Sequence, residues 1–145
     1  MPRISLLLLA TVLIVSTLGC TTTKTRQAAD GVFIHIKSGP EQPHAVLMAM
    51  QMASIMAEER DALVYFDVDG IGVITHDAPN LSMAPFGSSH EALAKLIDMG
   101  VPVFACPGCL KAAGKTPDDL MPGVRVAEKD AFFDFTDGRI LTLDY

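Results

Sequence analysis

A strand-like run that leads through two cysteines into a helix limits the fold of this chain more than any other stretch. Val101 to Ala105 is apolar and rich in β-formers, and residues 107–114 favour a short helix that ends at a glycine. In this interpretation Cys106 is the N-cap of the helix and Cys109 is its third residue. Both sulfurs then lie beside free backbone N–H groups, which favour the thiolate over the thiol. The sequence therefore predicts reactive thiols at a strand-to-helix turn.

The spacing of the cysteine pair allows three interpretations. It favours a redox or sulfur-transfer role, because Cys-x-x-Cys at a helix N-terminus is a known reactive setting. A buried structural pair and a metal site are the alternatives. A zinc site of the usual kind needs a second ligand pair, and the sequence contains no second Cys-x-x-Cys and no His-x-x-x-His.

The N-terminal stretch is typical of a targeting signal. Arg3 precedes an apolar run from Ile4 to Val15, which is short for a membrane span. The Gly-Cys that follows resembles a bacterial lipoprotein signal, in which Cys20 becomes the lipidated first residue. We predict a signal peptide over residues 1–19 and a lipid-anchored flexible tether over residues 20–30. The alternatives are an uncleaved anchor and cleavage by the ordinary signal peptidase.

These features predict that the protein lies in the bacterial cell envelope, lipid-anchored on the periplasmic side of the outer membrane. In that compartment the two remaining thiols can be oxidised.

The formal net charge of −6 removes the electrostatic basis for binding nucleic acid. With 145 residues, half of them apolar, the chain can bury one core. We therefore expect one domain over residues 31–145.

Strand-like and helix-like stretches alternate along this domain. The predicted strands are 31–37, 63–68, 101–105, 124–126 and 139–143. The predicted helices are 44–59, 88–100, 107–114 and 128–135. A β-prone piece is expected at 71–75 and a loop at 76–87. The alternation predicts an α/β three-layer, Rossmann-like sandwich with a mostly parallel sheet of about five strands.

In a parallel sheet, ligands collect beyond the carboxyl ends of the strands. The loops at that edge contain the cysteine pair and four further candidate binding residues, Ser38, Gly39, Asp69 and Gly70. The segment Phe66–Gly70 also resembles the strand end of haloacid-dehalogenase-type phosphohydrolases. A plain strand-to-turn Asp-Gly is the simpler explanation of that segment.

A binding module without catalysis is the alternative function. His44 and Met48 lie one helical turn apart, and thioether and imidazole ligands suit copper(I). Met48, Met52 and Met56 recur every four residues. Methionines at this spacing more often pack into the protein core from one face of a helix. His35 is either a hydrogen-bonded core residue or a neighbour of Cys106. The candidate ligands for copper(I) or zinc are Cys106, Cys109, His44 and Met48.

Several short motifs, individually weak, occur in a specific order. They are Ser38-Gly39-Pro40-Glu41, Pro43-His44, Val68-Asp69-Gly70, Gly100-Val101-Pro102-Val103, Cys106-Pro107-Gly108-Cys109 and Leu120-Met121-Pro122-Gly123-Val124. In this order they resemble the DsrE/DsrF/TusD-like sulfur-relay family, in its YchN-like branch, from about Val32 to Tyr145. The resemblance implies a Rossmann-like sandwich, assembly into trimers or hexamers, and a persulfide on Cys106. Cys109 has no counterpart in the relay subunits.

The residues and the resemblance together give the functional expectation. Cys106 is the predicted nucleophile and transient persulfide carrier, and Cys109 resolves the persulfide through an internal disulfide. Expected partners are sulfur donor and acceptor proteins or small thiols, the membrane through the lipid anchor, and other copies of the chain. No cofactor is expected. The broad apolar surface of the first helix also favours a homo-oligomer, a trimer or a hexamer, unless residues 76–87 cover it.

Overall fold

The computed structural model describes residues 29–145. The predicted signal peptide, the lipidated Cys20 and most of the predicted tether lie outside the described residues. Asp30, the last residue of that tether, forms an ion pair with Arg139. Over residues 29–145 the chain contains no helix that is both long and apolar enough to span a bilayer.

Seven strands and four helices make up the described chain. The strands are β1 (Gly31–Ile36), β2 (Asp61–Phe66), β3 (Ser82–Met83), β4 (Gly87–Ser88), β5 (Val103–Ala105), β6 (Arg125–Val126) and β7 (Ile140–Asp144). The helices are α1 (Pro43–Ala57), α2 (Ser89–Asp98), α3 (Pro107–Ala112) and α4 (Lys129–Phe135). Five strands form one sheet in the order β6-β5-β2-β1-β7, and every pairing in it is parallel. The predicted α/β fold with a mostly parallel five-stranded sheet is confirmed.

Local sequence explains where the helices begin. Pro43 occupies the first turn of α1, where its missing N–H costs nothing. Ser88 caps α2, and its hydroxyl accepts a hydrogen bond from the backbone N–H of Glu91. Gly100, with a φ of +77°, follows the end of α2 in the left-handed conformation that glycine adopts without strain.

The two faces of the sheet carry different side chains. On one face Val32, Ile34 and Ile36 of β1 are buried, with exposures of 4% or less, in the core beneath α1 and α2. On the opposite face Tyr65 packs edge-on against Phe132 of α4, with ring centroids 5.1 Å apart. The chain moves from β6 back past β1 to β7, so α4 is the helix that covers this second face. We call it the aromatic face.

Two predicted segments differ from the structure. The stretch expected to be β-prone at 71–75 is instead a 3-10 helix, Val68–Val73, because the N–H of Gly70 bonds to the carbonyls of Asp67 and Lys37 and tightens the chain into a turn. Only Thr75 keeps a β-bridge, to Leu120. The segment expected to be a loop at 76–87 contains β3 and the start of β4, which pair as a small antiparallel ladder.

Candidate functional site

The cysteine pair lies at the carboxyl end of β5, as the sequence predicts. Cys106 is the N-cap of α3, Pro107 is the first helical residue and Cys109 is the third. The backbone N–H of Cys109 donates a hydrogen bond to the Cys106 sulfur at 3.2 Å. Both side chains are free thiols and half-buried. The turn therefore presents two reduced sulfurs one helical turn apart.

The surroundings of Cys106 favour its thiolate. Burial, the largest single effect, would raise its pKa, but several hydrogen bonds outweigh it. They come from the thiol of Cys109, the hydroxyl of Tyr65 and the backbone N–H groups of Cys109 and Gly108. The net result is a pKa of Cys106 below its usual range, which makes Cys106 the better nucleophile of the pair.

The surroundings of Cys109 have the opposite effect. Its hydrogen bond to Cys106 is the main reason why the pKa of Cys109 lies above its usual range, and burial and the carboxylate of Asp67 add to that rise. The N–H of Val68 partly offsets it. Val68 has a φ of +46°, a conformation that costs a β-branched residue about 1–3 kcal/mol. A strained backbone thus supplies the donor for the second sulfur.

Strand register explains why Tyr65 reaches Cys106. Tyr65 of β2 is paired with Phe104 of β5, and Cys106 follows Phe104 by two residues on the same face. The Tyr65 ring also contacts the rings of Phe33 and Phe132. Burial and the hydrogen bond to Cys106 both raise the pKa of Tyr65, so its hydroxyl stays protonated and donates.

A row of polar side chains extends from the thiols along the same face of the sheet. His35 of β1 lies in register beside Tyr65, and its Nε2 is 2.9 Å from Oδ2 of Asp67. Its Nδ1 is 2.9 Å from Oδ1 of Asp144 on β7. Lys37 donates to the other oxygen of Asp144 at 2.8 Å and holds the pKa of that carboxyl below its usual range. His35 thus shares the aromatic face with Cys106, with Tyr65 between them.

The four candidate edge residues pack two loops together. A Cβ on Gly39 would lie 2.8 Å from the backbone oxygen of Asp69, and a Cβ on Gly70 would lie 2.4 Å from that of Ile36. Ser38 is buried and its N–H donates to the carbonyl of Tyr145. The two glycines therefore permit a close backbone approach, which brings the end of β2 beside the end of β1.

The two remaining metal candidates occupy another part of the molecule. His44 and Met48 line a hollow of about 470 Å³ together with Met83 and Tyr145, and neither cysteine lines it. Over residues 29–145, no three His, Cys, Asp or Glu side chains converge in a way that could hold a metal ion. The structure therefore does not bring His44 and Met48 together with the thiols.

Comparison with known proteins identifies the family. The model of the DsrE/DsrF-like family matches residues 30–139, most of the chain and nearly all of the described part. The chain belongs to the DsrE/DsrF-like family. The family is associated with sulfur relay, a chemistry in which thiols take part. A search of curated protein sequences gives no significant match.

Solved structures show that this DsrE/DsrF-like chain shares its fold with proteins of low sequence identity. The YchN protein of E. coli superimposes with a TM-score of 0.61 at 15% identity, over 81% of this chain and 100% of that one. MTH1491 of Methanobacterium thermoautotrophicum, a protein of unknown function, gives a TM-score of 0.55 at 22% identity, over 79% and 99% of the two chains. At these identities the likeness supports the fold.

Sequence reasoning missed two residues of this site. The sequence predicts Tyr65 only as part of a strand, and it indicates Asp67 only as part of a phosphohydrolase-like segment. The signal was the alternation at the end of β2, where Tyr65 and Asp67 point to one face and the buried Phe66 to the other. Polar groups at alternate positions of an otherwise apolar strand indicate that this face of the strand has a function besides core packing.

The contact between Tyr65 and Cys106 generates a prediction. Tyr65→Phe removes the hydroxyl donor and keeps the ring against Phe132, so we expect the pKa of Cys106 to rise. At neutral pH less thiolate is then present, and alkylation of Cys106 by iodoacetamide becomes several-fold slower. Site-resolved mass spectrometry over a pH series measures this, with the profile displaced to higher pH. Tyr145→Phe is the matched control, and an unchanged profile in Tyr65→Phe would contradict the assignment.

Proposed function

We propose that this protein carries sulfane sulfur as a persulfide on Cys106, and that Cys109 resolves it. The observation that carries the proposal is the asymmetry of the pair: hydrogen bonds converge on the Cys106 sulfur and lower its pKa, whereas the pKa of Cys109 is raised. Membership of a family associated with sulfur relay supports sulfur, rather than electrons alone, as the cargo.

Loading is a transfer of one sulfur atom between thiols. The Cys106 thiolate attacks the outer sulfur of a low-molecular-weight or protein persulfide, R–S–SH. The new bond joins that sulfur to Cys106, the S–S bond of the donor breaks, and the donor leaves as the thiolate RS⁻. The backbone N–H groups of Gly108 and Cys109 stabilise the attacking thiolate.

Unloading has two routes. An acceptor thiolate can attack the outer sulfur and take it by the reverse of loading. Alternatively, Cys109 attacks the Cys106 sulfur, a Cys106–Cys109 disulfide forms and HS⁻ leaves. The disulfide then needs a dithiol reductant before the next cycle. One helical turn separates the two sulfurs, which suits the second route.

The proposed location is the bacterial envelope, with the domain held at the outer membrane by lipid on Cys20. Its support is the apolar run followed by Gly-Cys in the sequence. Cys20→Ser should remove incorporation of a labelled fatty acid and move the protein out of the membrane fraction. Unchanged labelling in that variant would contradict lipidation at Cys20.

The proposed assembly is a homo-oligomer, a trimer or a hexamer. Ile55 of α1 and Phe133 of α4 are 49% and 58% exposed, so both helices present apolar side chains to solvent. The segment 76–87 also packs on α1, through Phe86 against His44. Light scattering of residues 21–145 tests the assembly, and a monodisperse monomer at micromolar concentration contradicts it.

Sulfur loading gives the direct test of the proposed function. Residues 21–145, whose only cysteines are Cys106 and Cys109, are treated with glutathione persulfide and weighed intact. Cys109→Ser should gain the mass of one sulfur atom and retain it, because the resolving thiol is absent. Cys106→Ser should gain none.

The wild type separates the outcomes further. It should release sulfide and finish as the internal disulfide. Equal sulfur uptake by Cys106→Ser and Cys109→Ser would contradict the assigned roles. Purified protein that contains copper(I) or zinc and takes up no sulfur would favour the metal-binding module instead.

A further inference from the structure

Asp67 is a charged residue of the aromatic face that the loading step does not use. It follows β2 directly, and its side chain is 19% exposed. One carboxylate oxygen faces His35 at 2.9 Å. The other, Oδ1, is buried and has no hydrogen-bond partner within residues 29–145. A buried carboxylate oxygen without a donor is unfavourable for folding, so its presence beside the thiols points to a role in the chemistry.

The position of Asp67 relative to the thiols is fixed by backbone contacts. The N–H of Cys106 donates to the carbonyl of Phe66 at 2.8 Å, and the N–H of Val68 donates to the Cys109 sulfur. Asp67 lies between these two anchored residues. Its N–H is itself held by the carbonyl of Ile36 at 3.2 Å. The carboxylate is therefore held next to the turn that carries Cys109.

Several other titratable groups surround this carboxylate on the aromatic face. They are His35 from β1, Lys37 directly after β1, Tyr65 from β2, Cys106 and Cys109 from the β5–α3 turn, and Asp144 from β7. Asp69 lies two residues further along the same turn as Asp67. The hydroxyl of Tyr65 interacts with Cys106, and the ammonium group of Lys37 donates to Asp144. Asp67 is thus the carboxylate beside Cys109 that has a free oxygen.

We propose that Asp67, which lies against His35, accepts the proton of Cys109 when Cys109 attacks the persulfide on Cys106. This inference rests on the proposed function and assigns a proton acceptor to its second step. The step needs one, because Cys109 is the thiol of the pair that the site keeps protonated, and only a thiolate attacks a disulfide-type bond.

The step balances in atoms and electrons. The S–H bond of Cys109 breaks, and its proton moves to Asp67. A bond forms between the two cysteine sulfurs, the bond from Cys106 to the outer sulfur breaks, and HS⁻ leaves. The Cys109 sulfur is oxidised and the outer sulfur is reduced to sulfide. Asp67 then returns the proton to the departing sulfide or to solvent.

His35 acts as a positioning residue in this scheme. Its Nε2 lies 2.9 Å from Oδ2 of Asp67 and its Nδ1 lies 2.9 Å from Oδ1 of Asp144, so the imidazole lies between two carboxylates. Lys37 balances the charge of Asp144 from the far side. One oxygen of Asp67 therefore faces the imidazole, and the other, Oδ1, has no hydrogen-bond partner within residues 29–145.

The test compares loading and release in the full chain. Wild type, Asp67→Asn and the matched control Asp69→Asn are loaded with glutathione persulfide, and sulfide release is followed in a single turnover. Peptide mass spectrometry resolves Cys106 from Cys109. Asp67→Asn should load Cys106 as the wild type does and release sulfide about a hundredfold more slowly at neutral pH. Its rate should recover as hydroxide rises, whereas Asp69→Asn should behave as the wild type.

Two further variants keep the test decisive. Asp67→Glu retains a carboxylate and should restore part of the release rate. If Asp67→Asn does not fold, His35→Gln carries the test, with loading unchanged and release slowed. Wild-type protein that takes up no sulfur would overturn the proposed function and this inference together. Normal loading with wild-type release rates and an unchanged pH profile in Asp67→Asn, or in His35→Gln where that variant carries the test, would overturn only this inference.

Discussion

The site depends on one backbone hydrogen bond, from the N–H of Cys106 to the carbonyl of Phe66 at 2.8 Å. It joins the residue that follows β5 to the last residue of β2. It places Cys106 on the aromatic face, where Tyr65 and Asp67 also lie because they flank Phe66 at alternate positions. Helix α3 begins directly after Cys106, and a free N–H group of its first turn, that of Cys109, donates to the Cys106 sulfur. The asymmetry of the two thiols follows from this junction.

Much of the fold could be predicted because its signals are local. The cap of α2 at Ser88, the glycine at Gly100 and the Cys106 cap of α3 depend on residues within a few positions of one another. The alternation of strands with helices then predicts a parallel sheet. The segment 68–73 differs because a contact with a distant part of the chain, the bond from the N–H of Gly70 to the carbonyl of Lys37, holds it. The ladder at 82–88 is local, but its strands are only two residues long, too short for a periodic pattern to indicate them.

Only part of the candidate site could be predicted, again because local sequence signals are readable and contacts between distant residues are not. The thiols are adjacent in sequence and their spacing is informative by itself. Tyr65, Asp67 and His35 reach them through strand register, which pairs His35 with Tyr65 and Tyr65 with Phe104 across three strands. A single sequence does not contain that register, since any slip by one residue would move these side chains to the other face.

The central claim is that the fold makes Cys106, and not Cys109, the thiolate of the pair. Alkylation by iodoacetamide over a pH series tests it most directly, on reduced residues 21–145 with both cysteines present, because a serine at either position would remove the hydrogen bond between the two sulfurs. Peptide mass spectrometry measures the two sites separately. We predict that Cys106 ionises at lower pH than an ordinary cysteine and at lower pH than Cys109. Equal pH profiles at the two sites, or ionisation of Cys109 at the lower pH, would contradict the account.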